Sequence, residues 1–326
     1  MVQDGATKDE VLEKTGHTVG LDNVSIKIEE GETFVCMGLS GSGKSTLIRH
    51  INRLIDPTSG EISVEGTNVM ELDQKNLIEF RRHKMSMVFQ RFGLFPHKTV
   101  LENVGYGLEV QGQKPEERNK TAMEKIEAVG LTGFEHQYPN QLSGGMQQRV
   151  GLARALAADP EFLLMDEPFS ALDPLIRRQL QSEFIKLSKQ MKKTTVFITH
   201  DLDEAVRVGH RIAIMRDGAV VQIGTPEEIV VNPADEYVAD FVKGISRLKV
   251  VQAKTIMQSV KDYETKIGPL DKDSELVSEN DVLSKLIETS ISKNKPIVVT
   301  DKNNKKIGVI SQSDLLKAVV EGNENE

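Results

Sequence analysis

Residues 33–51 read TFVCMGLSGSGKSTLIRHI, and this stretch decides the fold of the chain. An apolar run typical of a buried strand leads into a glycine-rich loop, and the pattern after the loop predicts a helix. Gly38, Gly41 and Gly43 have no Cβ, so the backbone can turn its N–H groups inward and approach phosphate oxygens closely. The N-terminus of the helix adds partial positive charge. Strand, loop and helix in this order predict a binding site for the phosphates of a nucleotide.

The residues at the end of this loop supply the charge and the hydroxyl that a nucleotide site needs. Lys44 places a full positive charge near the β- and γ-phosphates, and the Ser45 hydroxyl is positioned to coordinate Mg²⁺. A turn that merely connects two elements is the alternative, but the complete motif from Gly38 to Ser45 and its flanking elements favour phosphate binding. The predicted nucleotide-binding residues of the loop are Gly38, Leu39, Ser40, Gly41, Ser42, Gly43, Lys44, Ser45 and Thr46.

Two further strand-like runs end in side chains that can act on a phosphate. Asp166 and Glu167 follow an apolar run, and the carboxyl ends of strands are where ligands of open α/β sheets bind. We expect Asp166 to hold Mg²⁺ directly or through water, and Glu167 to polarise the attacking water. His200 follows a third run and is expected to contact the γ-phosphate, although a lone histidine at a strand end is more often structural. The predicted catalytic residues are Glu167, His200 and Lys44.

Composition restricts the class of protein. The chain has 326 residues, of which 38% are hydrophobic and 28% charged, and this suits a soluble protein with one large α/β domain and a smaller second domain. The formal net charge of −8 argues against binding of nucleic acid. No apolar run is long enough to span a membrane, and the first residues lack the order of a secretion signal, so a cytosolic location is expected. Cys36 is the only cysteine and is expected to be an inert core residue.

A change in charge pattern predicts a domain boundary near residue 245. Residues 247–326 hold 13 basic and 13 acidic side chains, so the whole net charge of −8 falls on residues 1–246. The basic residues after Gly244 are lysines except for Arg247, whereas arginines occur throughout the first part. We therefore divide the chain into a domain of residues 1–245 and a domain of residues 246–326.

A third motif makes a family resemblance visible. Residues 142–149 read LSGGMQQR and precede a predicted helix. Together with the glycine loop, Asp166 and Glu167, residues 170–173, Gln90 and His200, this motif resembles the ATP-binding cassette family over about residues 5–245. The resemblance implies an α/β P-loop NTPase fold with a RecA-like core, an antiparallel β subdomain and a helical subdomain at about residues 93–157. It also implies ATP and Mg²⁺ as cofactors, with Ser45, Gln90 and Asp166 at the metal.

The resemblance further implies that one chain cannot complete the reaction. In this family two cassettes enclose two ATP molecules head to tail, and the Ser-Gly-Gly signature of one subunit contacts the γ-phosphate held by the other. A helix N-terminus that carries a serine hydroxyl is a suitable anion site. The signature residues implied to act on the partner's nucleotide are Leu142, Ser143, Gly144, Gly145 and Gln147. The residues implied to line the dimer seam are Ser170, Ala171, Leu172 and Asp173.

The segment after Gln90 matches the family pattern and allows two interpretations. The loop after Gln90 docks a membrane-spanning subunit in this family, so Phe92, Leu94 and Phe95 are expected either to fit a partner groove or to pack inside the helical subdomain.

The region before the glycine loop departs from the family pattern. The family usually stacks adenine on an aromatic residue upstream of the glycine loop. No Phe, Tyr or Trp precedes Phe34 here, and His17 is the only ring in that region.

Local sequence indicates a transport role. Residues 52–60, 95–100, 170–177 and 200–205 resemble the ATPase subunits of glycine betaine and proline uptake systems, which serve osmoprotection in bacteria. The resemblance implies a homodimer at the cytoplasmic face of the membrane, a membrane-spanning permease subunit and, indirectly, a substrate-binding protein. An importer ATPase for proline, choline or carnitine is one alternative. A non-transport cassette protein on ribosomes or DNA and a nucleotide-sensing switch without turnover are others.

The second domain resembles a single CBS motif, a small α+β unit. Residues 280–287 and 314–320 are helix-like, and residues 296–310 read as strand, turn and strand. One CBS motif normally pairs with another, so the two tails of a dimer are expected to associate. Ser311 and Asp314 match the positions that bind a nucleotide in the CBS pattern, but a helix start without a ligand explains them equally. A cluster of three lysines offers attraction to anionic lipid as an alternative: Lys302, Lys305 and Lys306.

Overall fold

The computed structural model describes residues 5–90, 93–270, 274–293 and 295–323. By the contacts between its residues, the chain divides into two compact units, Met1–Ile223 and Gly224–Glu326. The boundary near residue 245 lies further along the chain and stays a prediction. Each unit has its own sheet, and the two are described separately below.

The first unit is an α/β layer structure. Its strands are β1 (Thr33–Met37), β2 (Ser63–Val64), β3 (Thr67–Asn68), β4 (Met85–Val88), β5 (Phe162–Asp166), β6 (Thr194–Ile198), β7 (Arg211–Arg216) and β8 (Ala219–Gly224), the last of which reaches the unit boundary. Its helices are α1 (Lys8–Thr15), α2 (Lys44–Ile51), α3 (Gln74–Lys84), α4 (Val100–Val110), α5 (Pro115–Ala128), α6 (Gly144–Ala157), α7 (Pro174–Met191) and α8 (Leu202–Val208). Short 3₁₀ turns lie at Val69–Glu71 and Pro139–Gln141.

The main sheet has six strands in the order β4-β5-β6-β1-β7-β8, and the pairs from β4 to β7 are all parallel. Every residue of β1 and β6 is buried, as expected for strands covered on both faces. This burial explains why the strands read as continuous apolar runs without polar alternation. Phe34, Cys36 and Ile198 belong to the core between the sheet and its covering elements, together with Ile48 from α2.

The strand order brings four strand ends to one edge. β6 lies between β5 and β1, and its register pairs Ile198 with Asp166 on one side and with Cys36 on the other. Parallel strands in this register all end at the same edge, so the residues that follow β1, β5 and β6 emerge together. β4 pairs with β5 and adds the segment after Val88 to that edge.

The remaining parts of the first unit are a group of helices and a small antiparallel sheet. α4, α5 and α6 pack against one another and lie within residues 93–157, but the subdomain boundaries stay a prediction. β2 and β3 form a two-stranded antiparallel sheet. β7 and β8 are joined at Asp217 and Gly218, whose φ angles of 50° and 79° are those of a type I′ hairpin turn.

The second unit is a smaller α+β structure. Its strands are β9 (Gln258–Ser259), β10 (Leu276–Ser278), β11 (Ile297–Thr300) and β12 (Lys306–Ile310), and its helices are α9 (Pro226–Val231), α10 (Glu236–Val242), α11 (Ala253–Ile256), α12 (Val260–Lys266), α13 (Leu283–Lys293) and α14 (Gln312–Asn323), with a 3₁₀ turn at Arg247–Lys249. The sheet order is β10-β11-β12-β9. β10 and β11 are parallel, β11 and β12 antiparallel, and α13 packs on α14. The strand, turn and strand predicted at 296–310 are found as β11 and β12.

Among the described helices, none combines the length and the apolar character that a membrane crossing requires.

Candidate active site

The glycine loop adopts a backbone that only glycine allows at two positions. Gly38 has φ of 152°, and a Cβ there would lie 2.2 Å from the carbonyl oxygen of Met215. Gly43 has φ of 99°, and a Cβ there would lie 2.7 Å from the carbonyl oxygen of Gly20. Both contacts are with backbone atoms that cannot move aside cheaply. The loop therefore packs between the β7–β8 hairpin and residues 20–21, and the first turn of α2 follows it directly.

Lys44 lies inside this loop. Its side chain is buried, and the Nζ atom donates to the carbonyl oxygens of Gly38 at 2.7 Å and Leu39 at 2.9 Å, and to Ser42 Oγ at 3.3 Å. Burial lowers the pKa of Lys44, and the carboxylates of Glu167 and Asp166 partly offset that shift. The ammonium is thus held by oxygen atoms of the loop itself, at the place where phosphate oxygens would accept the same hydrogen bonds.

Asp166 ends β5 directly opposite the start of α2. The Ser45 hydroxyl donates to Asp166 Oδ1 at 2.9 Å, and the carboxylate is 1% exposed. Asp166 Oδ2 is buried and has no hydrogen-bond partner in the described part of the chain. Burial raises the pKa of Asp166, while the Ser45 hydrogen bond and the charges of Arg49 and Lys44 lower it. A buried, unpaired carboxylate oxygen beside a hydroxyl is a donor set suited to a hard cation.

Glu167 is the point where three of the predicted residues meet. Gln90 Nε2 donates to Glu167 Oε2 at 3.1 Å, and His200 Nδ1 lies 3.2 Å from Glu167 Oε1. The Glu167 side chain is 16% exposed, whereas that of His200 is 63% exposed. The carboxylate therefore sits at the mouth of the site, with one oxygen toward β4 and the other toward β6.

A polar network ties the end of β6 to residues 170–173. Asp201 caps α8 by accepting from Glu204 N at 3.0 Å, and its other carboxylate oxygen lies 3.3 Å from Arg177 Nη1. Arg177 Nη2 donates to the carbonyl oxygen of Leu172 at 3.2 Å. The segment implied to line a dimer seam is thereby connected to the residue next to His200. Asp173 caps α7 by accepting from the N–H groups of two residues: Leu175 and Ile176.

The signature begins at the buried Leu142 and reaches the surface at the start of α6. Ser143 and Gly144 are exposed, Gly145 is half-buried, and Ser143 Oγ caps α6 by accepting from Met146 N at 3.3 Å. Gln147 donates to the carbonyl oxygens of Pro139 and Leu142, which fixes the preceding turn. Within the described ranges, no hydrogen bond or ion pair joins Ser143 to the side chains of Lys44, Asp166 or Glu167.

Sequence reasoning gave no role to Gln148, which the structure places against the site. Its Nε2 donates to the carbonyl oxygen of Glu167 at 3.0 Å, and its Oε1 accepts from Ala171 N at 3.0 Å. The sequence contains one signal for this residue. Gln148 lies on the same face of α6 as Leu152 and Ala155, so it is a polar residue in an otherwise apolar helical stripe.

The segment before β1 passes close to the first turn of α2. A Cβ on Gly20 would lie 3.1 Å from Thr46 Cγ2, and the Asp22 N–H donates to the carbonyl oxygen of Gly218 at 2.8 Å. His17 is exposed, and its N–H donates to Thr15 Oγ1 at 3.2 Å. The structure thus leaves the His17 ring at the surface and gives it no contact with the loop.

Two further expectations concern core packing. Phe95 packs on Tyr106 with ring centroids 4.4 Å apart, which favours the interpretation that it belongs to the helical subdomain. Leu94 is half-buried, and Phe92 lies outside the described residues. Cys36 is buried, and burial raises the pKa of its thiol to about 12 although the charge of Lys44 lowers it. The burial confirms that Cys36 is a core residue, and the raised pKa disfavours the reactive thiolate form.

In the second unit, Ser311 and Asp314 are hydrogen-bonded to each other. Asp314 Oδ2 accepts from Ser311 N at 2.9 Å and from Ser311 Oγ at 2.6 Å, and Gln258 Nε2 donates to the same oxygen at 2.7 Å. Burial raises the pKa of Asp314, but these hydrogen bonds lower it by more. The pair therefore forms the start of α14, as the interpretation without a ligand expects. A cavity of about 590 Å³ adjoins Asp314 and is lined also by Lys266 and Lys317.

Comparison with known proteins places this geometry in a family. The ABC transporter family matches residues 21–170. The glycine betaine transport ATP-binding protein OpuAA of Bacillus subtilis (strain 168) is 52% identical over 318 residues, which are 98% of this chain and 73% of that protein. The trimethylamine N-oxide transport system ATP-binding protein TmoW of Pelagibacter ubique (strain HTCC1062) is 46% identical over 320 residues, 97% of this chain and 90% of that protein.

A solved structure agrees with these relatives. The ATP-binding cassette MJ0796, in a dimeric post-hydrolysis state bound to ADP and Pi, is similar with a TM-score of 0.61 and 41% identity. The similarity covers 64% of this chain and 90% of that one. The alignment with the transport proteins runs along almost the whole chain, and the predicted loop and strand ends meet at one edge of the sheet. The chain therefore belongs to the family of ABC transporter ATP-binding proteins, the ATPase subunits that power solute transport.

Proposed function

We propose that this chain hydrolyses ATP to drive uptake of glycine betaine or a closely related quaternary ammonium solute. One observation carries the catalytic part: the Glu167 carboxylate is held between Gln90 and His200, beside the buried Lys44 and Asp166. The choice of solute is supported by relatives named for transport of glycine betaine and of trimethylamine N-oxide. Both solutes carry three methyl groups on one nitrogen.

Each of these side chains would have its own role in ATP hydrolysis. Lys44 exchanges its bonds to the loop carbonyls for bonds to the β- and γ-phosphate oxygens, and the loop N–H groups hold the remaining phosphate oxygens. Glu167 accepts a hydrogen bond from the attacking water and orients it toward the γ-phosphorus. His200 contacts the γ-phosphate through the ring nitrogen that is not beside Glu167. Gln90 keeps the carboxylate on the water side of the site.

The donor set beside Lys44 also fits Mg²⁺. Ser45 Oγ and the unpartnered Asp166 Oδ2 are hard oxygen ligands, and Gln90 is hydrogen-bonded to the carboxylate of the adjacent Glu167. Mg²⁺ is commonly bound by one or two carboxylates together with substrate phosphates, so a large cage of acids is not required. The ion would neutralise the negative charge of the β- and γ-phosphates. We therefore assign Ser45, Asp166 and Gln90 to the metal.

The second nucleotide contact would come from a second copy of the chain. Ser143 and Gly144 are exposed at the start of α6, and residues 170–173 lie next to them, which suits a surface that closes on a partner. The related cassette that was solved with ADP and Pi is dimeric. We propose a head-to-tail homodimer in which the γ-phosphate joins the two surfaces, so that hydrolysis removes the bridge and lets the dimer open.

The dimer would work on the cytoplasmic face of the membrane. Relatives named as ATP-binding proteins of transport systems support a membrane-spanning permease subunit as partner, with a substrate-binding protein acting indirectly. A cavity of about 240 Å³ lies beside Tyr106, Met87 and Arg81, and its size suits a side chain of the permease rather than a helix. The net charge of −8 does not favour a nucleic acid partner.

Residues 246–326, which make up most of the second unit, are proposed to be a single CBS domain with a regulatory role. The succession β10-α13-β11-β12-α14, with a parallel and then an antiparallel pair, supports this assignment. Leu316 and Val320 are 66% and 54% exposed and lie one turn apart on α14. We propose that this apolar stripe pairs with the same stripe of a second tail. A nucleotide at Ser311 and Asp314, or anionic lipid at the lysine cluster, stays a candidate for its ligand.

Replacing Glu167 by Gln tests the catalytic assignment. Glu167→Gln keeps the shape of the side chain but cannot act as a base, so we expect phosphate release to fall by at least about 100-fold while ATP still binds. Light scattering with Mg²⁺ and excess ATP should then show a stable dimer. Glu161→Gln, at the opposite end of β5, is the control and should keep normal turnover. Normal turnover by Glu167→Gln would contradict the assignment.

Replacing Asp166 by Asn separates stability from metal binding. Burial raises the pKa of Asp166, so its ionised form destabilises the folded protein at neutral pH when metal and nucleotide are removed with a chelator. We expect Asp166→Asn to raise Tm by a few degrees and to lower Mg²⁺-dependent hydrolysis by at least about 100-fold. The gain in Tm should shrink as the pH falls, because the wild-type carboxyl then becomes protonated. Asp240→Asn, at an exposed position, should change neither property.

A disulfide tests the pairing of the tails. Cys36 is buried and unreactive, so Leu316→Cys introduces one accessible thiol. If α14 faces α14 across a two-fold axis, mild oxidation should cross-link most of the full-length protein as a dimer on a non-reducing gel. Lys302→Cys, on the β11–β12 turn, is the matched exposed control and should cross-link much less. Equal cross-linking of both variants would argue against a specific α14 interface.

Uptake by the reconstituted transport complex tests the solute. Proteoliposomes that contain the permease, the substrate-binding protein and this chain should accumulate labelled glycine betaine in an ATP-dependent manner. Unlabelled trimethylamine N-oxide or carnitine should compete more strongly than proline, which lacks N-methyl groups. The same complex with Glu167→Gln is the negative control. Preferential uptake of proline, or no uptake of any methylated amine, would contradict the proposed solute.

A further inference from the structure

Gln148 is a fully buried polar residue whose hydrogen bonds both end at the active site. The side chain is 1% exposed and lies in the core-facing stripe of α6. Its NH₂ group donates to the carbonyl oxygen of Glu167, and its oxygen accepts from the N–H of Ala171, each at 3.0 Å. One amide group is therefore hydrogen-bonded to both sides of the turn between β5 and α7, at Glu167 and at Ala171. When both the donor and the acceptor of a buried amide have partners, the amide fixes the positions of those partners, because leaving either group unpaired costs free energy.

The backbone at Glu167 needs such support. Glu167 has φ of 50°, a left-handed conformation that a non-glycine residue adopts only when its surroundings impose it. The Glu167 N–H donates to the carbonyl oxygen of Ile198 at 3.0 Å. The Glu167 carbonyl oxygen accepts from Ser170 Oγ at 3.0 Å, from Ser170 N at 3.3 Å and from Gln148. Among these donors to the carbonyl, only Gln148 comes from a different element.

The backbone conformation determines where the carboxylate lies. The Cβ of Glu167 leaves the chain in the direction that this φ sets, and the carboxylate then reaches Gln90 at 3.1 Å and His200 at 3.2 Å. A change of φ at Glu167 turns the carbonyl group and Cβ together about the N–Cα bond, so it would move the carboxylate away from both partners. Displacement of a reacting group by about 1 Å can cost about 100-fold in rate.

α6 also connects this support to the signature. A Cβ on Gly145 would lie 3.4 Å from Leu172 Cδ2 and 3.5 Å from the carbonyl oxygen of Ala171. The first turn of α6 thus lies about one methyl group away from the same turn that Gln148 holds. Ser143 caps that first turn. A shift of α6 toward residues 171–172 would therefore close this gap, and a shift of the helix as a whole would move the Glu167 peptide through Gln148.

We propose that Gln148 is a positioning residue that sets the backbone of Glu167, and so the direction of its carboxylate, from the helix that carries the signature. The proposal rests on the proposed function, in which Glu167 orients the attacking water and Ser143 contacts a partner's nucleotide. Gln148 does not touch the reacting atoms. Gln148 affects the rate of ATP hydrolysis through Glu167. It has little effect on ATP affinity, because the loop and Lys44 hold the phosphates.

Two substitutions of Gln148 test this role in the full-length protein. Gln148→Met removes both hydrogen bonds and keeps the approximate volume. We expect kcat to fall about 10- to 100-fold with the KM for ATP changed by less than about twofold. Gln111→Met is the matched control, since the Gln111 amide donates to the carbonyl oxygens of Arg82 and Ala158, away from Glu167. It should show a comparable loss of thermal stability and wild-type kcat.

Gln148→Glu supplies a readout that a purely structural role would not move. A protonated carboxylic acid has the same donor and acceptor as the amide, whereas the ionised form cannot donate to the Glu167 carbonyl. Burial raises the pKa of a carboxyl at such a position. The ratio of the Gln148→Glu kcat to the wild-type kcat should therefore rise as the pH falls from about 8 to about 6, while the ratio for Gln148→Met stays constant. This variant also keeps the test valid if Gln148→Met does not fold.

The outcomes are distinct. Wild-type kcat in Gln148→Met, a loss confined to KM, or a pH-independent ratio for Gln148→Glu would each overturn the proposal. If Glu167→Gln is inactive while Gln148→Met is fully active, only the role of Gln148 is wrong. If Glu167→Gln itself hydrolyses ATP at the normal rate, the proposed function of Glu167 fails first, and a slow Gln148→Met would then have another cause.

Discussion

The structure depends on holding an ammonium and two carboxylates at one edge of a parallel sheet, largely out of water. Lys44 and Asp166 are buried, and burial shifts the pKa of each toward its neutral form. Their mutual attraction offsets part of that penalty for both groups, whereas the Glu167 charge and the loop carbonyls help Lys44 and the Glu167 charge adds to the penalty of Asp166. A buried charge that lacks one partner destabilises a fold, and Asp166 Oδ2 lacks one. The unpartnered oxygen therefore costs free energy in the folded protein, and a bound cation would supply the missing partner.

The elements around this edge are connected by hydrogen bonds that do not involve the nucleotide. Gln148 joins α6 to Glu167, and Arg177 joins residues 172 and 201. The proposed seam, the signature helix and the strand that carries His200 are thus in contact through side chains with defined geometry. In the proposed dimer, contiguous contacts of this kind would couple the two ATP sites, because the γ-phosphate held by the loop of one subunit would also meet the signature of the other.

The second unit uses its motif differently from the first. In the first unit, Ser45 donates to one oxygen of Asp166 and leaves the other oxygen without a partner among the described residues, whereas Ser311 and Asp314 direct their polar atoms at each other to start α14. A serine and an aspartate are thus proposed to hold a metal ion in the first unit, and they form a helix start in the second. The exposed stripe on α14 and the cavity beside Asp314 are the features of the second unit that its own packing does not account for.

The sequence was sufficient for the local elements and for the chemistry of the loop, because strand, glycine loop, Lys44 and helix form a contiguous stretch whose physics is short-range. It also placed Asp166, Glu167 and His200 at strand ends, since buried parallel strands read as apolar runs that stop at polar residues. It could not show the strand order, which brings β5, β6 and β1 side by side and joins residues more than 100 positions apart, such as Ser45 and Asp166. The choice between packing and docking for Phe95 was likewise open until Tyr106 was found against it. Only the tertiary structure decided that Gln148 faces Glu167 and that Glu167 adopts a left-handed backbone, because both follow from long-range packing of α6 on the sheet edge and not from any pattern within a helix or a strand.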